Sequence, residues 1–195
     1  FRQGQCSEIS VRFFKKFVIS PFMFKRNHCR DHRKIIVIDD NISYIGSANF
    51  TQYCKAWRES ILRMKGDIAI TLKKIFMDNY KIYNKDFSIY EVSKRFHKTI
   101  RYDNCFFIRE VPSVFGQRIK KNYLRCIERA EKQITIETPY FLPGHRIYKS
   151  LINAVKRGVE VNVCIPQHSD VKVADVVRDA FLEQLYKHGV NIYLY

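Results

Sequence analysis

The sequence lacks any long apolar run, since no segment reaches the roughly 18 consecutive apolar residues of a membrane-spanning helix. Its first residues do not look like a secretory signal peptide. Because the sequence starts at Phe1 and not at Met, a membrane anchor, if there is one, is expected outside these residues. The hydrophobic fraction of 46% is ordinary, which indicates a globular chain able to bury a core as one or two domains.

The six cysteines show no CxxC pair and no regular spacing. This pattern excludes an obvious disulfide framework or zinc site and favours a reducing compartment. Acidic residues are scarce: 19 Asp and Glu stand against 35 Lys and Arg, a formal net charge of +16. Such an excess suits a polyanionic partner, either an anionic membrane surface or nucleic acid, although it could also serve solubility alone.

Five polar residues and one glycine surround two apolar runs in the first half of the chain: His32, Lys34, Asp39, Gly46, Ser47 and Asn49. His32 and Lys34 precede the run Ile35–Ile38, which is typical of a buried strand, and residues two apart on a strand share a face. A phosphate explains this pairing, because Lys neutralises its charge and hydroxyl and amide groups can donate to its oxygens. The imidazole then remains available for nucleophilic or acid–base work. A simpler reading of Asp39-Asp40-Asn41 is a hairpin turn between strands 33–38 and 42–46.

The spacing H-x-K-x4-D-x6-G-S-x-N resembles the HKD motif of the phospholipase D superfamily. Residues 27–39 (NHCRDHRKIIVID) and 57–60 (WRES) are similar to the first motif region of bacterial cardiolipin synthases, and 138–143 (TPYFLP) and 157–161 (RGVEV) resemble the start of that family's second half. The resemblance covers nearly the whole chain.

The resemblance implies a mechanism in which a histidine attacks a phosphodiester, forms a phosphohistidine and passes the group to an alcohol or water. His32 would be the nucleophile, although the two histidines of the family can exchange order. Lys34 and Asn49 would hold phosphate oxygens with help from Ser47, and Asp39 would support the local structure. Glu59 would fix the His32 tautomer, unless it is an ordinary surface charge paired with Arg58. No metal or other cofactor is expected. Arg30 and Arg33 could attract head groups or simply be solvated.

Organisation along the chain is predicted as two units. Residues 1–83 would be the C-terminal part of one phospholipase D-like half, with strands at 9–14, 33–38, 42–46 and 61–64 and a helix over 66–83. Residues 84–104 would be a linker. Residues 105–195 would be the N-terminal part of a second half, with strands at 105–110, 133–137, 159–165 and 190–195 and helices at 114–131, 145–157 and 170–188. The second H-x-K motif is expected just beyond Tyr195.

The predicted fold class is α/β: a phospholipase D-like αβα sandwich with a mostly parallel mixed sheet, helices on both faces, and an incomplete pseudo-twofold tandem repeat. The implied activity is cardiolipin synthesis from two phosphatidylglycerol molecules with release of glycerol, at the bacterial inner membrane with a peripheral catalytic domain; this segment alone is expected to be inactive. The alternatives are a phospholipase or nuclease that uses water, or a degenerate module that only binds anionic lipid or nucleic acid.

Overall fold

The computed structural model describes residue 10 and residues 31–52, 57–81, 99–110 and 117–195. The contacts divide the chain into two compact units, Phe1–Gly116 and Gln117–Tyr195. The strand predicted over 9–14, the basic segment 15–26 and most of the predicted linker lie outside the described residues, as do His28, Arg30 and His97.

The first unit contains an antiparallel sheet of three strands. These are β1 (Lys34–Ile38), β2 (Ile42–Gly46) and β3 (Ile61–Lys65), in the order β1-β2-β3. The strands predicted over 33–38, 42–46 and 61–64 are thus confirmed within one residue at each end. Their antiparallel pairing differs from the mostly parallel sheet that was predicted.

The turn between β1 and β2 is built by Asp39 and Asp40, whose φ angles are 51° and 54°. The Asn41 N–H donates to the Ile38 carbonyl oxygen at 3.1 Å, which closes the turn. Positive φ at both central residues matches the twist of a hairpin, and Asp tolerates that conformation better than most residues. The hairpin reading of this segment is therefore correct.

Helix α1 (Ile68–Tyr80) covers one face of this sheet and buries Ile68, Ala69, Leu72 and Ile75. Phe76 of the same helix is exposed. Arg33, just before β1, donates to the Asn79 side chain of α1 at 2.6 Å. Since side chains alternate along a strand, Arg33 lies on the helix-covered side and Lys34 on the opposite side.

A short hairpin follows, formed by β4 (Ile100–Tyr102) and β5 (Cys105–Phe107). The strand predicted over 105–110 is thus only three residues long, and its partner lies in the segment predicted as linker. The reason is local: Asp103 has a φ of 48° and turns the chain tightly enough for these short strands to pair.

The second unit alternates helices and strands. Its elements are α2 (Arg118–Arg129), β6 (Gln133–Glu137), α3 (Gly144–Lys156), β7 (Glu160–Ile165), α4 (Lys172–Lys187) and β8 (Asn191–Leu194). The strands pair in parallel in the order β6-β7-β8. The three predicted helices and the last three predicted strands are confirmed. Gly158 (φ 85°) and Gly189 (φ 87°) end α3 and α4 in the left-handed conformation that favours glycine.

The core of the second unit lies between the sheet and one layer of helices. Val161, Val163 and Ile165 of β7 point into a buried cluster with side chains from all three helices, among them Ile127, Leu151 and Leu185. On the other face, Asn191 donates to Asn162 at 2.9 Å, and Asn162 donates to Glu160 at 2.7 Å.

The prediction of helices on both faces is not met within the described part of this unit. Gln133, Thr135 and Glu137 of β6 are exposed and alternate with the partly buried Ile134 and Ile136. Such alternation is the pattern of a sheet that packs on one side only. The chain as a whole has mixed α/β content.

Candidate active site

Lys34 is the first residue of β1, on the face of the sheet that α1 leaves open. Its ammonium nitrogen donates to the backbone carbonyl oxygen of His32 at 2.8 Å. A lysine ammonium has three donors, so this bond leaves capacity for an anion. Backbone and side chain together therefore keep Lys34 beside His32, whose side chain is exposed.

At Gly46, the backbone of β3 comes too close to β2 to leave room for a side chain. A Cβ atom placed on Gly46 would lie 2.8 Å from the Ile61 Cα and closer still to the Ser60 carbonyl oxygen. The adjacent backbone is tied by the Ser47 N–H, which donates to the same Ser60 oxygen at 3.1 Å. Glycine in the G-S-x-N segment is thus required by this close approach of two backbones.

The Ser47 hydroxyl donates to Glu59 and accepts a hydrogen bond from the Ser60 N–H at 3.1 Å. Glu59 is half-buried. The sequence interpretation gave Glu59 a different partner, the His32 ring, and gave Ser47 a phosphate oxygen. The structure pairs the two residues with each other, so Ser47 could donate to a phosphate only by exchanging Glu59 for it.

A cavity of about 230 Å³ opens on the face of the sheet away from α1. Lys34, Gly46 and Asn49 line it together with residues of all three strands, among them Ile36, Tyr44 and Ile61. The structure therefore brings Lys34 and Asn49 to one cavity, with Ser47 next to its wall. His32 and Glu59 are not among the residues that line this cavity, although each lies two residues before one that does, Lys34 and Ile61.

Two further cations share this face of the sheet. Arg63 of β3 is opposite Tyr44, and Lys65 is opposite Ile42, so both project on the same side as Lys34. Sequence reasoning passed over them, although the alternation of Ile61, Arg63 and Lys65 is visible in the sequence. This face has a positive charge that would attract a phosphodiester.

Other predicted residues have structural partners. Asp39 forms the hairpin turn, which agrees with its expected supporting role. Arg33 binds Asp31 through its Nε at 2.8 Å and Asn79 through its Nη1. Arg33 is therefore neither simply solvated nor directed at the face that carries Lys34.

In the second unit, a hydrogen bond joins the loops that follow β6 and β7, from the Tyr140 hydroxyl to the Asp170 carboxylate. This bond, with some burial and the negative charge of Asp170, raises the pKa of Tyr140 to about 12. Both loops leave the carboxyl ends of parallel strands, the edge where open α/β sheets place their sites.

Two features are absent from the part of the chain that the structure describes. No group of three or more His, Cys, Asp or Glu side chains among the described residues is arranged to hold a metal ion. Within the same residues, no helix has the length and apolar character needed to cross a bilayer.

The comparison with known families concerns the second unit. Residues 123–195 match the family described as "Cardiolipin synthase, PLD-like domain". The chain thus contains a PLD-like region of mixed α/β structure, and the resemblance to the phospholipase D superfamily seen in the sequence is confirmed.

The relatives extend this similarity over most of the chain. It is 27% identical over 181 residues to "Probable cardiolipin synthase YwiE" of Bacillus subtilis (strain 168), covering 89% of this chain and 36% of that protein. It is 29% identical over 183 residues to "Cardiolipin synthase" of Clostridium perfringens (strain SM101 / Type A), covering 87% and 38%. With "Cardiolipin synthase A" of Buchnera aphidicola subsp. Baizongia pistaciae (strain Bp) it shares 28% over 207 residues, covering 97% and 41%. The chain therefore spans about two fifths of the length of these curated relatives.

Proposed function

We propose that this chain supplies one half of the active site of a transphosphatidylase that makes cardiolipin from two phosphatidylglycerol molecules. The observation that carries the proposal is the cavity shared by Lys34 and Asn49 beside the Gly46–Ser47 turn. Similarity to cardiolipin synthases over most of the chain supports it.

In the proposed first step, a ring nitrogen of His32 forms a bond to the phosphorus of phosphatidylglycerol. The bond between phosphorus and the head-group glycerol oxygen breaks, and a general acid from the other half of the site protonates the departing glycerol. Lys34 and Asn49 hold the phosphate oxygens and stabilise the charge that builds on them.

In the second step, a hydroxyl of another phosphatidylglycerol attacks the phosphohistidine. The same acid–base group, now deprotonated, removes the hydroxyl proton as the phosphorus–nitrogen bond breaks. The products are cardiolipin and glycerol, and His32 returns to its starting form. Glu59 contributes by holding Ser47, and hence the turn that carries Asn49, against β3.

The test is lipid product analysis of the full-length protein supplied with phosphatidylglycerol, beside a His32→Ala variant. We expect cardiolipin and glycerol from the parent and a loss of at least about a thousandfold in the variant, because the covalent route disappears. His188→Ala is the matched control, since this exposed histidine caps the end of α4 through the Gln184 carbonyl and should leave turnover unchanged.

Three outcomes would count against the proposal. Unchanged turnover in His32→Ala would remove this residue from the chemistry. Release of phosphatidate instead of cardiolipin would make water the acceptor, and cleavage of DNA would identify a nuclease of the same superfamily.

A further inference from the structure

Charge is distributed unevenly over the helix layer of the second unit. Residues 118–132, which include α2, contain six Lys and Arg against two Glu, and residues 144–157, which include α3, contain four against none. Residues 172–187, which form α4, contain three of each sign. The positive charge of this unit is therefore concentrated on two neighbouring helices.

The first turns of these two helices meet at one edge of the sheet. Helix α3 begins soon after the carboxyl end of β6, and α2 ends just before the start of β6, so both helices begin at the carboxyl edge. A Cβ atom on Gly144 would lie 3.9 Å from the Lys120 ammonium, which shows how close the two first turns are. Three cations stand exposed on these helices near that edge: Lys121, Arg146 and Lys149.

Apolar side chains are exposed at the same edge. Helix α4 begins soon after the carboxyl end of β7, and its first two turns carry Val173, Val176 and Val177, with side chains on one face by helical spacing. Val173 is 77% exposed and Val176 is 73% exposed. Leu142 and Val171, in the loops joined by the Tyr140–Asp170 hydrogen bond, are also exposed.

The carboxylates close to these valines already have local partners. Asp170 accepts the Tyr140 hydroxyl, Asp175 accepts hydrogen bonds from the Ser169 N–H and Arg178, and Asp179 accepts from Arg178. Lys172, between the exposed valines, is itself exposed. The edge therefore presents aliphatic side chains and cations to its surroundings, together with the exposed carboxylates of Glu137 and Asp170.

We propose that this carboxyl edge of the second unit, formed by Leu142, Val171 and the first turns of α2, α3 and α4, docks onto an anionic bilayer. The valines of α4 enter the boundary between head groups and acyl chains, and Lys121, Arg146, Lys149 and Lys172 contact lipid phosphates. Aliphatic side chains flanked by Lys and Arg fit a membrane interface. A nucleic acid would use the cations but not the valines.

This docking proposal rests on the proposed function in one respect, the choice of a phospholipid bilayer as the partner. It does not depend on turnover, because docking is measured as binding. Open α/β sheets bind their ligands at the carboxyl edge of the strands. Docking through that edge would bring phospholipid head groups to the protein surface while the lipid stays in the bilayer.

The experiment is co-sedimentation of the full chain with vesicles of phosphatidylglycerol and phosphatidylcholine in equal parts, compared with phosphatidylcholine alone. We expect binding to the anionic vesicles and little to the neutral ones. Val173→Asp combined with Val176→Asp should weaken binding at least about tenfold, the effect of withdrawing two valines from an apolar medium. Arg146→Glu should weaken it at least about fivefold.

Each variant has a matched control at the other end of the same helix. Tyr186→Asp changes an exposed apolar residue in the last turn of α4, and Lys156→Glu reverses an exposed cation at the end of α3. Both controls should change binding less than about twofold, and circular dichroism should show native helix content in all variants.

The proposal is overturned if the controls weaken binding as much as the test variants, or if neutral vesicles bind equally well. It is also overturned if the valine pair has no effect while a DNA duplex displaces the chain from vesicles, since the cations would then serve nucleic acid. His32→Ala should bind like the parent. If the parent protein binds vesicles but makes no cardiolipin, the proposed chemistry is refuted and the docking surface still stands.

Discussion

At the scale of single residues, Gly46 shows most clearly why a motif position admits one amino acid. Its backbone lies against Ser60 and Ile61 of the neighbouring chain segment, and even a methyl group would overlap backbone atoms that cannot rotate away. A sequence pattern identifies this glycine as part of a motif. Only the pairing of Gly46 with Ile61 shows that the requirement is steric.

We expect Gly46→Ala to lower the free energy of unfolding by about 1–3 kcal/mol, the range for overpacking, and to abolish most cardiolipin formation because β3 must move away from Ser47. Gly66→Ala is the control: its φ of 97° makes alanine strained, but a Cβ there meets no neighbouring atom. The control should cost about 1 kcal/mol and leave turnover intact. Urea unfolding and product analysis of both variants measure this difference, and full turnover in Gly46→Ala would refute the steric argument.

A second residue-scale prediction concerns Tyr140, whose pKa of about 12 is set first by its hydrogen bond to Asp170. Because the pKa is raised on folding, this interaction contributes stability fully below pH 10, the ordinary tyrosine value, and loses it as the pH rises through about 12. Asp170→Asn should bring the Tyr140 pKa down toward its ordinary value.

Alkaline titration of tyrosinate absorbance measures this, with Tyr140→Phe subtracted to isolate one tyrosine among the twelve. If the subtracted curve has the same midpoint in the parent and in Asp170→Asn, the hydrogen bond does not hold the phenol in its neutral form.

At the scale of elements, Arg178 joins α4 to the loop after β7. Its guanidinium is almost fully buried and donates to the Pro166 carbonyl at 3.0 Å, the Gln167 carbonyl at 3.2 Å and the Asp175 carboxylate at 2.9 Å. One side chain thus fixes the start of the helix relative to the carboxyl end of the strand. The sequence alone marks Arg178 only as another cation in a helix.

We expect Arg178→Ala to destabilise the second unit by about 1–3 kcal/mol, because the Pro166 and Gln167 carbonyl groups lose their donor. Lys187→Ala, in the exposed i,i+4 pair with Glu183, is the control and should change stability very little, because solvent screens an exposed ion pair. Thermal unfolding of the two variants compares these costs; a similar small shift in both would mean that Arg178 does not anchor the loop.

The elements also show where sequence reasoning succeeds. The strand at 133–137 and the helix stops at Gly158 and Gly189 are set by local alternation and by glycine, so the sequence predicts them closely. The partner of Glu59 depends instead on the register that places Ser47 beside Ser60, which no local pattern specifies. The short pairing of β4 with β5 was missed because three-residue strands carry too little periodicity to detect.

At the scale of the whole molecule, the two units use opposite strand pairings, antiparallel in one and parallel in the other. The prediction of a mostly parallel sheet followed from the strand–helix alternation of the second unit, and the strands of that unit are indeed parallel. In the first unit, the short turn between β1 and β2 permits only antiparallel neighbours, and β3 also pairs with β2 in the antiparallel sense. The formal charge of +16 belongs to the whole chain, but its arrangement on α2 and α3 becomes visible only once the helices are folded.

The amide pair Asn162–Asn191 on the open face of the second unit has a consequence for how the sheet is assembled. If β8 slid by one residue against β7, the two amides would separate and Ile192 would turn from the core toward the polar side. The shifted register would therefore lose the amide hydrogen bond and expose Ile192, whereas the native register has neither cost. The Asn162–Asn191 hydrogen bond therefore helps to specify a single register of β8 against β7.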